Sequence, residues 1–200
     1  MIEAIIFDFG GVIIPEPEGD VNRYFSEKFS VPYDLTEATI EKLLLKFQTG
    51  DITDKEFWST FATEVGIEMP EDYEKLWLNE ASIVPRKPDV VEIVRKLGEA
   101  GYKLAILSNT IPPYARYNRE NDNYNGFEYT ILSSEAGMKK PNPEFYRLAL
   151  ERIGAQAQDC VYIDDKEKYL KPAEEIGMKT ILFTTASQLE DELRSMDVKL

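Results

Sequence analysis

The sequence predicts an α/β fold: a doubly wound parallel sheet interrupted, after its first strand, by an inserted bundle of helices. Three observations predict it. The chain begins with an apolar run, AIIF at 4–7, that reads as a strand buried on both faces and stops at an acid, Asp8. From 20 to 81 the apolar residues recur at helical spacing with no strand between them. After Pro85 strands and helices alternate, which calls for parallel pairing and right-handed crossovers.

Each element has a local reason. Gly10 and Gly11 follow the first strand, so the backbone there can take a positive φ or approach a ligand closely. Residues 15–19 form a proline-rich, acidic exit. Val21, Tyr24, Phe25 and Phe29 share one helical face. Ile40, Leu43, Leu44 and Phe47 share another, after a candidate cap at Thr36 and before a stop at Gly50. The segment 51–66 brings Phe57, Phe61 and Val65 together, and 70–82 presents Tyr73, Leu76 and Trp77 as a fourth helix. The aromatic stripe reads as the core of this bundle. A helix over 88–100 ends at Gly101, and the strand KLAILSNT ends in Ser108. A polar connection follows over 111–126, then the strand YTILSS and the loop GMKKPNPEF, where Pro143 sits in the first turn of a helix reaching 153. CVYIDD is the fourth strand, followed by a helix to 176, the strand KTILF and a last helix from about 187. The chain thus divides into a core of 1–14 and 86–200 and a helical insertion of 15–85.

Composition narrows the function. With 43% hydrophobic and 12% aromatic residues the chain can bury a core. No apolar run approaches the roughly 20 residues of a membrane span. The N-terminus lacks a basic stretch and cleavage site, so a cytoplasmic protein without a signal peptide is expected. The lone Cys160 fits a reducing compartment and, opening the run CVYID, reads as an inert core thiol. A net charge of −14 disfavours nucleic-acid binding, and any anionic substrate must be held by local lysines, amides or metal. The absence of histidine excludes Ser-His-Asp and Cys-His catalysis and His-ligated zinc, and one cysteine cannot make a thiolate zinc site. A catalytic site must use carboxylates, lysine, hydroxyls or a hard metal bound through oxygen.

In a parallel sheet the C-terminal strand ends share one edge, where ligands bind. That edge would collect Asp8, Ser108 and the pair Asp164 and Asp165, with Lys140 in the loop after another strand. Two or three carboxylates there repel one another unless a cation sits between them, and with oxygen ligands only, Mg²⁺ is the natural choice. Lys140 adds positive charge, Ser108 a hydrogen-bond donor, and Pro141 restricts Lys140 to an extended backbone. Such a site suits a phosphoryl group, whose oxygens metal and lysine neutralise while a carboxylate attacks phosphorus. Singly, an Asp pair is often a helix cap, Lys-Pro is common in loops and Ser-Asn is a common turn. Their order, each after a predicted strand, gives them weight.

DFGGVI at 8–13, LSN at 107–109, KKPNPEFY at 139–146 and YIDD at 162–165 resemble, in the same order, the motifs of the haloacid dehalogenase-like hydrolase superfamily. The helical insertion stands where that family keeps a helical cap. The resemblance implies a Rossmann-like core, Mg²⁺ dependence and phosphoryl transfer through an aspartyl-phosphate. It makes Asp8 the nucleophile and a metal ligand, Gly10 a metal ligand through its carbonyl, and Ser108 and Asn109 phosphoryl-binding residues. Lys140 would stabilise the transferring group and Asp8, and Asp164 and Asp165 would hold the metal directly or through water.

Two positions depart from the pattern. The family's usual first motif carries a second Asp, a general acid and base, where this chain has Gly10; the carbonyl role survives, proton delivery does not. The Asn usual four residues after the aspartate pair is Tyr169. Gly10 also stands where the dehalogenase branch typically has Tyr, and stretches such as FDFGGV resemble a subgroup that includes sugar-1-phosphate phosphatases. The expected function is a Mg²⁺-dependent phosphatase acting on a small phosphorylated metabolite. The alternative is a catalytically weak phospho-ligand binding or regulatory module that kept the cradle and lost the acid, with a 2-haloacid dehalogenase third. Substrate choice is expected from the cap and from Tyr114, Arg116, Tyr117 and Arg119.

Overall fold

The computed structural model describes residues 1–16, 20–78 and 83–200. Parts of the acidic exit and of the fourth expected helix, 17–19 and 79–82, lie outside the described residues. The strands are β1 (Ala4–Phe7), β2 (Lys103–Ser108), β3 (Tyr129–Leu132), β4 (Cys160–Asp164) and β5 (Lys179–Leu182). The helices are α1 (Val21–Phe29), α2 (Tyr33–Gln48), α3 (Asp54–Val65), α4 (Pro88–Glu99), α5 (Pro112–Glu120), α6 (Ser133–Ala136), α7 (Pro143–Ile153), α8 (Glu167–Glu175) and α9 (Ala186–Ser195).

The strands form one sheet in the order β3-β2-β1-β4-β5, every pair parallel. β1 is central, with Phe7 in register with Ile106 on one side and Ile163 on the other. Its four residues are fully buried, as the unbroken apolar run requires. Alternation along the strand sends Ile5 and Phe7 to one face, against Ile93 and Leu97 of α4 and Leu189 and Leu193 of α9. Ala4 and Ile6 go to the other, against Phe145 and Ala149 of α7 and Leu170 and Ala173 of α8. None of the described helices is long and apolar enough to cross a membrane.

Between β1 and α4 the chain builds a separate aromatic cluster. Phe25, Phe47, Phe57, Trp58, Phe61 and Trp77 are all buried there, joined by Ile111 from just before α5. Phe25 meets Trp58 edge-on at 5.0 Å and Trp77 edge-on at 5.1 Å, contacts each worth about 0.5–1.5 kcal/mol beyond area burial. The aromatic stripe is therefore core, as its spacing indicates, and Trp58 belongs to it as well.

Several local expectations need correction. Thr36 does not cap α2; the helix starts a turn earlier, and the Thr36 hydroxyl donates to the Pro32 carbonyl at 3.2 Å. The real side-chain cap in this region is Thr53 of α3, in a reciprocal box with Glu56. Among the described residues of the expected fourth helix, 70–78, a single 3-10 turn forms, Tyr73–Lys75. The connection over 111–126 is not a loop throughout: Pro112 and Pro113 open α5, whose polar composition hides it. Ser133 and Ser134 belong to α6 rather than to the third strand.

Candidate active site

Parallel pairing brings the sequence-selected residues to one edge. Asp8 follows β1 directly, with its N–H donating to the Ile163 carbonyl at 2.8 Å. Ser108 ends β2 and Asp164 ends β4, both buried. Lys140 comes from the loop between α6 and α7, and its side chain is 1% exposed. Its ammonium lies 2.9 Å from Asp8 Oδ1 and 2.7 Å from Asp164 Oδ2.

The two oxygens of Asp8 are not equivalent. Oδ1 accepts from Lys140 and from the Phe9 N–H at 2.7 Å. No donor among the described residues holds Oδ2. Asp164, by contrast, is engaged on both oxygens: Oδ2 by Lys140 and by the Tyr162 hydroxyl, Oδ1 by the Lys166 N–H at 2.9 Å. Asp165 is the reverse case, with Oδ1 buried and lacking any partner.

Burial governs the electrostatics. It pushes the Asp8 carboxyl from an ordinary 3.8 to about 6; Lys140 opposes the shift and Asp164 adds to it. Burial also works against the charge on Lys140, but Asp8 and Asp164 together overcome it and hold that ammonium above its usual range. Asp165 is raised, by burial first, with Asp164 adding to it.

Oxygens of Asp8, Asp164 and Asp165 lie within 4.8 Å of one another. With no nitrogen or sulfur donor, this set fits a hard divalent cation, and the unpartnered Asp165 oxygen is one such a cation or its water would satisfy. Gly11 makes room for it. Its φ is +85°, and a Cβ there would stand 2.2 Å from Asp165 Oδ2. Gly10 needs no such freedom: its φ is not in the left-handed region, and a Cβ would meet nothing within 4 Å.

Asn109 reaches the site but its amide is engaged: Oδ1 accepts from the Lys140 N–H at 2.8 Å, and Nδ2 donates to the Lys140 carbonyl at 3.0 Å. It clamps the lysine's backbone. Tyr169, at the departing position, lays its ring 4.9 Å from the Lys140 ammonium. Two cavities open over this edge. One, about 420 Å³, is lined by Asp8, Ser108 and Lys140 with Leu44 and Gln48 of the insertion. The other, about 200 Å³, is lined by Phe9, Ile14, Val84, Tyr114 and Tyr117. Gly10, Glu16, Ser108 and Asn109 border both. Of the four α5 residues expected to choose substrate, the two tyrosines line a cavity. The arginines are spent elsewhere, Arg116 on Asp54 and Arg119 on Glu135.

Sequence reasoning overlooks Tyr162, although strand alternation puts it on the Asp164 face two residues away. It also overlooks Glu16, which pairs with Lys166 at the cavity rim, and Lys139, which donates to Gln48. Neither contact has a local signature.

Comparison with known proteins identifies the family. The sequence model of a family described as haloacid dehalogenase-like hydrolase matches residues 5–183. The chain belongs to that family. Among haloacid dehalogenase-like proteins of known structure, an enzyme from Bacteroides thetaiotaomicron, in complex with magnesium and inorganic phosphate, superimposes with a TM-score of 0.77 at 25% identity, covering 92% of this chain and 95% of that one. Bifunctional epoxide hydrolase 2 of Sus scrofa is 26% identical over 202 residues, which is 90% of this chain but 36% of the pig protein. Glyceraldehyde 3-phosphate phosphatase of Methanocaldococcus jannaschii is 33% identical over 97 residues, 47% of this chain and 42% of that protein. The chain thus spans less than half the length of these curated relatives.

Proposed function

We propose that this protein is a cytoplasmic, Mg²⁺-dependent phosphatase that hydrolyses a small phosphorylated metabolite through an aspartyl-phosphate on Asp8. The observation that carries the reading is the asymmetry of Asp8. Lys140 and the Phe9 amide hold one oxygen and leave the other for attack on phosphorus. Asp8, Asp165 and the Gly10 carbonyl would hold the metal, with Asp164 closing the set; bound there, Mg²⁺ supplies positive charge to the phosphoryl oxygens. Lys140, held between Asp8 and Asp164, serves the same oxygens, and the Ser108 hydroxyl donates to one of them. Asp164, engaged on both oxygens, aims Lys140. The helices of 15–85 act as a cap that shields the site and selects substrate, with α2 reaching the larger cavity. The magnesium and phosphate held by the Bacteroides enzyme support the reading.

A panel of phosphate monoesters assayed with Mg²⁺ and with EDTA tests it. Turnover requires the metal, and Asp8→Asn lowers kcat by about 10³ or more, because an amide is a far poorer nucleophile. Full activity in EDTA, or a folded Asp8→Asn protein keeping more than about a tenth of kcat, refutes the assignment. Gly10, which offers no proton, favours one other reading: a phospho-ligand binding module with little turnover. Phosphate binding without turnover on any member of the panel selects it.

A further inference from the structure

We propose that the larger cavity carries a second anion subsite built on Lys139, and that its ligand is a phosphate monoester bearing a further carboxylate or phosphate. This rests on the phosphatase reading for which end of the ligand reacts.

Three lysines line that cavity, Lys139, Lys140 and Lys166. Two are neutralised: Lys140 by Asp8 at 2.9 Å and Asp164 at 2.7 Å, Lys166 by Glu16. Lys139 is different. Its half-buried ammonium donates to the neutral amide oxygen of Gln48, on α2, and no carboxylate among the described residues lies within ion-pairing distance. Lys87 and Lys103 are also half-buried with no ion pair among the described residues, but they donate to backbone carbonyls away from this cavity, whereas Lys139 lines it and rests on one side-chain amide. A second cation adjoins it instead. Lys168 is exposed, sits 5.0 Å over the Tyr169 ring, and repels Lys139. Burial and this repulsion both hold the Lys139 amine below its ordinary range. Packing like charges together without a counter-charge costs free energy that a bound anion would remove.

The placement separates this charge from the reacting group. The phosphoryl end has Lys140, Ser108 and the metal ligands on the strand edge. Lys139 is tied instead to the insertion through Gln48. The cavity, at about 420 Å³, has the size of a metabolite site rather than of one phosphate. A carboxylate or phosphate at the far end of the ligand would replace Gln48 as the Lys139 partner.

Equilibrium binding of non-hydrolysable phosphonates, measured by calorimetry in saturating Mg²⁺, tests this independently of turnover. The pairs are phosphonoacetate against ethylphosphonate and phosphonobutyrate against butylphosphonate, each differing by one carboxylate. The expected result is that at least one carboxylated member binds about tenfold tighter than its alkyl partner. Lys139→Gln should collapse that ratio to within about twofold, and Lys139→Arg should keep most of it. Equal affinities within both pairs for the unaltered protein overturn the subsite. So does a Lys139→Gln protein that weakens both members of a pair alike, which would assign Lys139 to the phosphoryl group itself. Failure of the phosphatase reading shows separately, as absence of turnover on the monoester panel.

Discussion

Gly11 and Asp165 share one space: a Cβ on the glycine would stand 2.2 Å from the carboxylate, on backbone whose φ is +85°. Gly11→Ala must therefore move Asp165 as well as strain the turn, at about 1–2 kcal/mol for the left-handed backbone alone. The expected outcome is a Tm lower by a few degrees and a Mg²⁺ concentration for half-maximal activity raised about tenfold or more. A folded variant with an unchanged Mg²⁺ requirement would detach Asp165 from the metal.

Removing the lysine should cost more. Lys140→Met leaves Asp8 and Asp164 facing each other with nothing between them, and loss of one partner from a buried charge group costs about 3–5 kcal/mol. The sign of its pH dependence follows. Without the ammonium, the Asp8 carboxyl, already raised to about 6, rises further, so the folded variant takes up protons that the unfolded chain does not. Its stability deficit, measured without Mg²⁺, shrinks as pH falls from about 8 to about 5. An equal deficit at both ends would mean that lost packing, not charge, dominates.

Proton delivery to the leaving group is the step that Gly10 leaves without a side chain. A positioned acid is worth about 10²–10⁴ in rate, so kcat across a series of phosphate monoesters should fall steeply as the leaving-group pKa rises. Gly10→Asp should flatten that slope. The position accepts a side chain, since a Cβ meets nothing within 4 Å and φ is ordinary, so its Tm should stay within a few degrees of the parent. A shallow slope in the unaltered protein would show that another group already supplies the proton.

Cys160 offers a test away from the site. Burial pushes its thiol from 9.0 to about 11, and Sγ donates to the Gln156 carbonyl at 3.3 Å. A raised pKa stabilises the fold fully below the unfolded value near 9, and that contribution fades as pH climbs through about 11. The native protein should resist thiol reagents at pH about 8 and react once denatured. Cys160→Ala should lose less stability than the parent on going from pH about 8 to about 10.5. Rapid labelling of the native chain would contradict this burial.

The strand-end residues are readable in advance because topology leaves them no choice. Once β1, β2 and β4 run parallel, Asp8, Ser108 and Asp164 must share an edge, whatever the loops do. The helices were harder where polarity masks period, as in α5, or where the start is set by a backbone turn, as at Pro32 before α2. What no local pattern encodes is juxtaposition across the chain. The Asn109 clamp on Lys140, the Glu16 pair with Lys166 and the Gln48 contact with Lys139 join segments far apart in sequence, each on a different element.

The central position of β1 also orders events during synthesis. This strand precedes every other, yet its two neighbours are β2 and β4, and the lysine that steadies Asp8 lies between them in the chain. On a ribosome Asp8 would wait without its lysine while the helices after it emerge, and their aromatic cluster is itself completed only by Ile111, after β2. The site can close only after Asp164 has emerged and docked beside it, so competence is a late property of the nascent chain, and no shorter N-terminal fragment carries it.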